Sequence, residues 1–419
     1  MDVNNSTVSG NIRAIECLMA QVGYGNPDDE SAVDISDYVV LIHGDLGMGE
    51  RIRSILNRRS IEDRAWERFQ YALFCPGYFH VKMACAEALW RIFIKPALGR
   101  LDETSFMKDI GILRPKETGT IISKCEFQRM HQVINHTGIA RRLDCWQTAM
   151  RRNHPQFATL EDFAKTKPKL DDLRELAREL VNDNVANHEL SSQRLKPNDE
   201  RDQQFENATI IQQYLLFYEE LSHAMNFGDI GRLEHCLLPW ILLFKSTGKH
   251  KYATVMEKFL VETHFECPER LRHAIRYNML VNPTGKKGNF HAVDWVVEGN
   301  NCEIKVIHGG QGSNRTIKRM ITESALVGTY KAIGETMENN LHMYKTSTHG
   351  EPNMQRTFVE LRKSLSDCSP HEFVPGRKSI YCIPDMLNKG AELLHNKLVD
   401  EEEDGELRPS LDDIVLEIL

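Results

Sequence analysis

Two short stretches, YVVLIHGD at residues 38–45 and RFQYALFC at 68–75, carry the only convincing strand patterns in this chain of 419 residues. The first is a run of apolar and β-favouring residues ending on Asp45, and the second stops at Pro76-Gly77. Two strands cannot make a full sheet, so the bulk of any core has to come from helices. A core is expected, because 41% apolar and 27% charged residues are ordinary for a globular chain and far from a disordered composition.

Helical periodicity dominates the remainder. Residues 49–58 read as a helix, and YFHVKMACAEALWRIFI, closed by Pro96, places Phe79, Met83, Ala86, Leu89, Trp90 and Phe93 three and four apart on a wide apolar face. The clearest later helices are residues 170–185 and 205–225, and Pro268 fits the first turn of another, where its missing N–H costs nothing. Residues 314–341 read as one further long helix. The fold class expected is mainly α-helical with a small mixed αβ unit near the N-terminus. Its organisation is an N-terminal helix and loop (1–37), the αβ unit (38–98), a helical region (99–398) and an acidic tail (399–419).

The net charge of −8 is concentrated at one end. Nine acids face Arg408 alone between Asp400 and Leu419, which sums to −8, so residues 1–399 are neutral and free to carry basic faces. The tail itself, with DEEEDGE at 400–406, is expected to be solvated and dispensable for folding. Ten cysteines without a CxxC spacing, and no apolar N-terminal signal segment, point to an intracellular setting, nucleus or cytoplasm. CLLPWILLF at 236–244 has about half the ~20 residues that a membrane span needs. No small-molecule ligand is indicated.

Asp45 emerges from a hydrophobic strand among Gly44, Gly47 and Gly49, where a carboxylate can take part in metal chemistry or simply cap the following helix. Residues alone favour the cap. GDLGMGER lacks the Gly-Lys-Ser/Thr ending of a phosphate loop. His80 follows the second strand and would come beside Asp45 if the strands pair, offering with His43 a nitrogen and oxygen donor set for a divalent ion; a buried or capping histidine is the plainer alternative. Asp229 and Glu234 open a later helix, where the macrodipole already favours acids. For nucleic acid the candidates are Arg51, the pair Arg141-Arg142, and Lys286-Lys287 in NMLVNPTGKKGNFHAVDWVVE, where Phe290 and Trp295 add aromatic faces. A surface turn between helices explains the same letters.

The blocks HGDLGMGERIRSIL, PGYFHVKMACAEALWRIF, RLDETSFMKDIGILRPKETG, HTGIARRLDCWQ and YNMLVNPTGKKGNFHAVDW resemble, in this order, a large domain-of-unknown-function family of mushroom-forming fungi whose members look like relics of mobile elements. That family has no established activity. The order of strand-end acid, second strand with histidine, helical insertion and late acid is similar to RNase H-like transposases such as the hAT group, with a truncated core and a large helical insertion. The likeness implies Asp45 as second acid, His80 as the histidine, and Glu234 or Asp229 as final acid. An RNase H-like site also needs an acid on an earlier strand, and only a helix and a loop precede Tyr38. The expectation is therefore a truncated, catalytically inactive relative. Its rivals are a metal-dependent DNA nuclease, for which alone Mg²⁺ or Mn²⁺ would be the cofactor, and a non-catalytic helical module binding nucleic acid or protein.

Overall fold

A computed structural model describes residues 3–187, 189–308, 316–341 and 353–403. The N-terminal unit opens with α1 (Val8–Gln21), capped by the Thr7 hydroxyl on the Gly10 amide. A two-residue parallel pair follows, β1 (Tyr24–Gly25) with β2 (Val33–Asp34). The two anticipated strands are β3 (Val40–Gly44) and β4 (Ala72–Pro76), parallel and in register from Val40 opposite Ala72 to Gly44 opposite Pro76. Between them runs α2 (Leu46–Arg58), which starts on the residue after Asp45, three residues earlier than its apolar pattern announces.

β4 is shorter than its sequence pattern because Phe69 takes a left-handed φ of 59°, which breaks extended structure just before the strand. The reward is packing. Phe69, Tyr71 and Trp66 stack together and join Ile52 and Ile55 of α2, Ile15 of α1 and Ile35 in a core of their own. Burying each of those isoleucines contributes about 1.5–3 kcal/mol.

The rest of the chain is helical, with a larger core: α3 (Tyr78–Phe93), α4 (Phe106–Leu113), α5 (Thr118–Ser123) and α6 (Phe127–Asn153) contribute to it, while α7 (Leu160–Lys165), α8 (Leu170–Asn184) and the single turn α9 (Leu190–Gln193) follow, Leu176 and Leu180 of α8 forming a small separate cluster with α6. Next come α10 (Gln203–Phe227), α11 (Ile230–Ser246) and α12 (His250–Val261), which a π-turn over Glu262–Glu266 extends toward α13 (Glu269–Asn278). Trp240, Leu237 and Ile241 of α11 are fully buried against α10 and α3, which is why a Pro239 inside the helix is tolerated: packing outweighs its missing hydrogen bond. A short antiparallel hairpin, β5 (Leu280–Val281) with β6 (His291–Ala292), leads into α14 (Val293–His308).

The single long helix expected over residues 314–341 is broken, into α15 (Ile317–Glu323), a 3₁₀ turn at Ser324–Leu326 and α16 (Val327–Asn340). α17 (Gln355–Cys368) packs on α4 and α6, and α18 (Met386–Glu403) lies along α11. α18 runs on through Asp400–Glu403. The rest of the acidic segment, from residue 404, lies outside the described residues. Among the described residues no helix is long and apolar enough to cross a membrane, and all ten cysteines are free. The mainly helical class with a small αβ unit is the observed one.

Candidate functional site

Parallel strands deliver both chain ends to one edge, and the crevice beyond the carboxyl ends is where α/β units place their sites. Here Gly44 and Pro76 are opposite one another, the Gly77 amide donates to the Gly44 carbonyl at 2.8 Å, and α2 and α3 start from the same edge. Each helix start leaves unpaired N–H groups that attract a negative charge. Asp45 answers for α2, its Oδ1 accepting from the Met48 amide at 2.7 Å. α3 has no cap of its own, since residue 77 is glycine.

Its cap comes from α14 instead. Asp294 Oδ1 accepts from the Phe79 amide at 3.1 Å, and Oδ2 accepts from the His80 amide at 3.1 Å while lying 2.8 Å from His80 Nδ1. Asp294 is only 4% exposed, and any side chain at position 77 would press into its carboxylate, with Cγ 2.5 Å from an added Cβ. Gly77 is thus the residue that lets a helix more than two hundred positions away dock at the strand ends.

Asp294 holds the His80 pKa above the ordinary imidazole value through that hydrogen bond, against the opposing effect of burial, and the Asp45 and Glu298 charges push the same way. His43 is shifted down by burial, with Asp294 acting against the shift. Tyr252 is raised to about 12 by burial and by the Asp45 charge. Asp45, His80, His43 and Asp294 therefore occupy one electrostatic neighbourhood, bringing together the sequence candidates Asp45 and His80.

Neither final-acid candidate supplies the third carboxylate. Asp229 is the N-cap of α11, its Oδ1 taken by the Arg232 amide at 3.1 Å. Glu234 is 1% exposed and bound by Arg276 Nε at 3.0 Å and by a terminal guanidinium nitrogen at 2.8 Å, with His264 Nε2 at 3.5 Å. The acid from the late helical region that reaches the strand ends is Asp294. Sequence reasoning passed over it although it sits inside the NFHAVDW block, because a buried carboxylate on a helix carries no local mark.

A basic and aromatic surface adjoins the dyad through the hairpin. Lys286 and Lys287 are exposed at its tip, and Lys287 Nζ lies 5.9 Å from the Phe227 ring centroid. Phe290 seats on Gly228, which the left-handed φ of 70° makes a helix terminator. Trp295, the residue after Asp294, is 41% exposed and stacks on His291 at 4.1 Å. Lys82, one turn along from Tyr78, makes no ion pair among the described residues, and burial depresses its pKa to about 8. Its amine lies 5.9 Å over the Tyr218 ring.

The remaining candidates divide. Arg51 is half-buried beside Gly47. Arg141 is fully buried with its Nε 2.6 Å from Asp109, so it is a core ion pair and cannot be a phosphate-tracking residue in this fold. Arg142 donates to Glu219 at 2.7 Å, leaving little of its charge for a ligand. Among the described residues no three His, Cys, Asp or Glu side chains are grouped to hold a metal ion, and both oxygens of Asp294 already accept hydrogen bonds.

Fold and site together define a mainly helical protein built on a two-stranded parallel unit, with a histidine–aspartate dyad at the strand ends. The chain belongs to a family of unknown function (DUF6589), whose model matches residues 1–349. No curated protein and no solved structure matches it.

Proposed function

We propose that the protein binds single-stranded nucleic acid, DNA in the first instance, along the face that runs from the β5–β6 hairpin to the strand-end crevice. The carrying observation is the exposed Trp295, stacked on His291 and continuous with a hairpin whose tip carries Lys286 and Lys287. Base stacking on such an aromatic contributes about 1–3 kcal/mol per base, and the lysines track the backbone. Both helix starts at the crevice are already occupied by carboxylates, so phosphates are directed to the hairpin side. The mobile-element resemblance supports the same class of ligand.

Fluorescence anisotropy with a labelled single strand tests this. Binding should weaken as salt rises, and Trp295→Ala and the pair Lys286→Ala/Lys287→Ala should each raise Kd about tenfold. Affinity unchanged by both sets of substitutions would remove the proposal.

Strand cleavage is a second reading, favoured by the meeting of Asp45, His80 and Asp294. With Nδ1 held by a buried carboxylate, His80 keeps Nε2 turned to proton exchange with a reacting group, as a general base in its neutral form and a general acid in its protonated form. A nicking assay run with Mg²⁺, Mn²⁺ or a chelator separates the readings: the binding reading expects intact DNA throughout. Nicking abolished by His80→Ala and by Asp45→Ala, with folding preserved, would make the protein an enzyme.

A further inference from the structure

A cleft of about 490 Å³ lies between α6, the C-terminal half of α10 and the start of α11, a size within the ~300–1,000 Å³ of small-molecule sites. The β5–β6 hairpin borders it. The Phe290 amide donates to the Asn226 carbonyl at 3.1 Å, and Lys287 Nζ lies 5.9 Å from the ring centroid of Phe227, which is on the cleft wall and 43% exposed. The lysine tip that tracks the strand backbone is therefore at the mouth of this cleft.

The charged groups on the wall cancel: Arg142 is held by Glu219, and Arg232 by Glu220. What stays open is flat or amide in character. His223 is exposed and stacks on Phe227, the ring centroids 4.3 Å apart and the planes within 18°. Asn226 is exposed, and its side chain makes no hydrogen bond among the described residues. Asn135 lines the cleft from α6, its amide nitrogen 3.3 Å from His131 Nε2 and its oxygen without a donor among the described residues. A side-chain amide donates and accepts at once, which is the pattern along the edge of a nucleobase.

His131, also on the wall, has Nδ1 2.9 Å from the Tyr218 hydroxyl, and Lys82 Nζ lies 5.9 Å over the ring of that tyrosine. Burial and then the Lys82 charge lower the pKa of His131, to about 4, and that of His291, so the amine stands between α6 and the hairpin beside two neutral rings. Lys82 is half-buried, its Nζ still reaches solvent, and with a pKa of about 8 it is mainly protonated at neutral pH. His291 in turn carries Trp295. From Trp295 to the cleft the path runs past one cation that no carboxylate among the described residues neutralises.

We propose that the α6–α10 cleft takes one nucleobase of the bound strand, stacked on the His223–Phe227 pair and read along its edge by Asn135 and Asn226, with flanking phosphates on Lys82 and Lys287. The strand then has a sequence preference, and it is set in this cleft. The assignment rests on the single-strand reading above.

Fluorescence anisotropy of the full chain with labelled oligo(dA), oligo(dC) and oligo(dT) of one length tests it. The tightest of the three should bind about fivefold or more above the weakest, and the pair Asn135→Ala/Asn226→Ala should bring all three within about twofold at an unchanged salt slope. Circular dichroism checks the fold of that variant. Lys82→Met should weaken every strand and reduce the salt slope by about 0.7, the share of one phosphate on a single strand. The same substitution should raise the melting temperature, because an uncompensated half-buried charge is gone, and the opposite signs separate a ligand contact from a structural role. One common affinity for the three strands, or a preference that survives the amide substitutions, would overturn the cleft assignment and leave the Trp295 reading standing. Affinity and slope indifferent to Lys82→Met would overturn the proposed path. Absence of strand binding altogether would remove both readings.

Discussion

Asp294 does two jobs with one carboxylate: it caps α3 and sets the protonation of His80. The second job has a pH signature. A histidine whose folded pKa is raised adds stability that is fully present below the unfolded value, ~6.5, and is lost as pH rises through the folded value. The stability difference between the native chain and Asp294→Asn, from urea melts, should therefore shrink as pH rises from about 6 to 8. A difference that stays flat or grows would show that the dyad is not charged as described. Asp45 was legible as a cap because its partner, the Met48 amide, is three residues on. Asp294 was not, since its partners lie 214 and 215 residues away.

Pairs of helices are joined by buried charge as well as by apolar contact. Arg141 on α6 and Asp109 on α4 are both almost completely enclosed, and burial, with a smaller push from the Asp144 charge, raises the Asp109 pKa even with the guanidinium beside it. Removing one partner strands the other, so Arg141→Ala should cost about 3–5 kcal/mol in a denaturant melt. The double substitution Arg141→Met/Asp109→Leu should cost far less, because no charge is left buried. Equal losses in the two variants would contradict this account. On sequence, Arg141-Arg142 looked like a basic face; α6 is long and polar enough on average that only its neighbours reveal which charges turn inward. Glu234 on α11 misled for the same reason, its Arg276 partner being on α13.

The C-terminal segment closes the molecule. Arg377 grips Asp202 at the start of α10, Asn207 donates to the Tyr381 carbonyl at 2.7 Å, and α18 approaches α11 so closely that Gly390 has no room for a Cβ against the Leu242 carbonyl. Truncation after Glu403 should leave the melting temperature unchanged, because the segment removed carries five acids against Arg408 and gains little from burial, whereas truncation after Asp385 should lower it by several degrees. Equal effects would mean that α18 contributes nothing to the body. What the sequence by itself determined was the helical class, the two strands, the cap at Asp45 and the placing of Asp229 at a helix start, all written in apolar spacing or in neighbours three residues apart. Only the tertiary structure decided that Asp294 rather than Glu234 reaches the strand ends, and that Arg141 is core. The physical reason is common to both: a charged side chain takes its meaning from the partner that neutralises or solvates it, and here those partners are brought in from other helices.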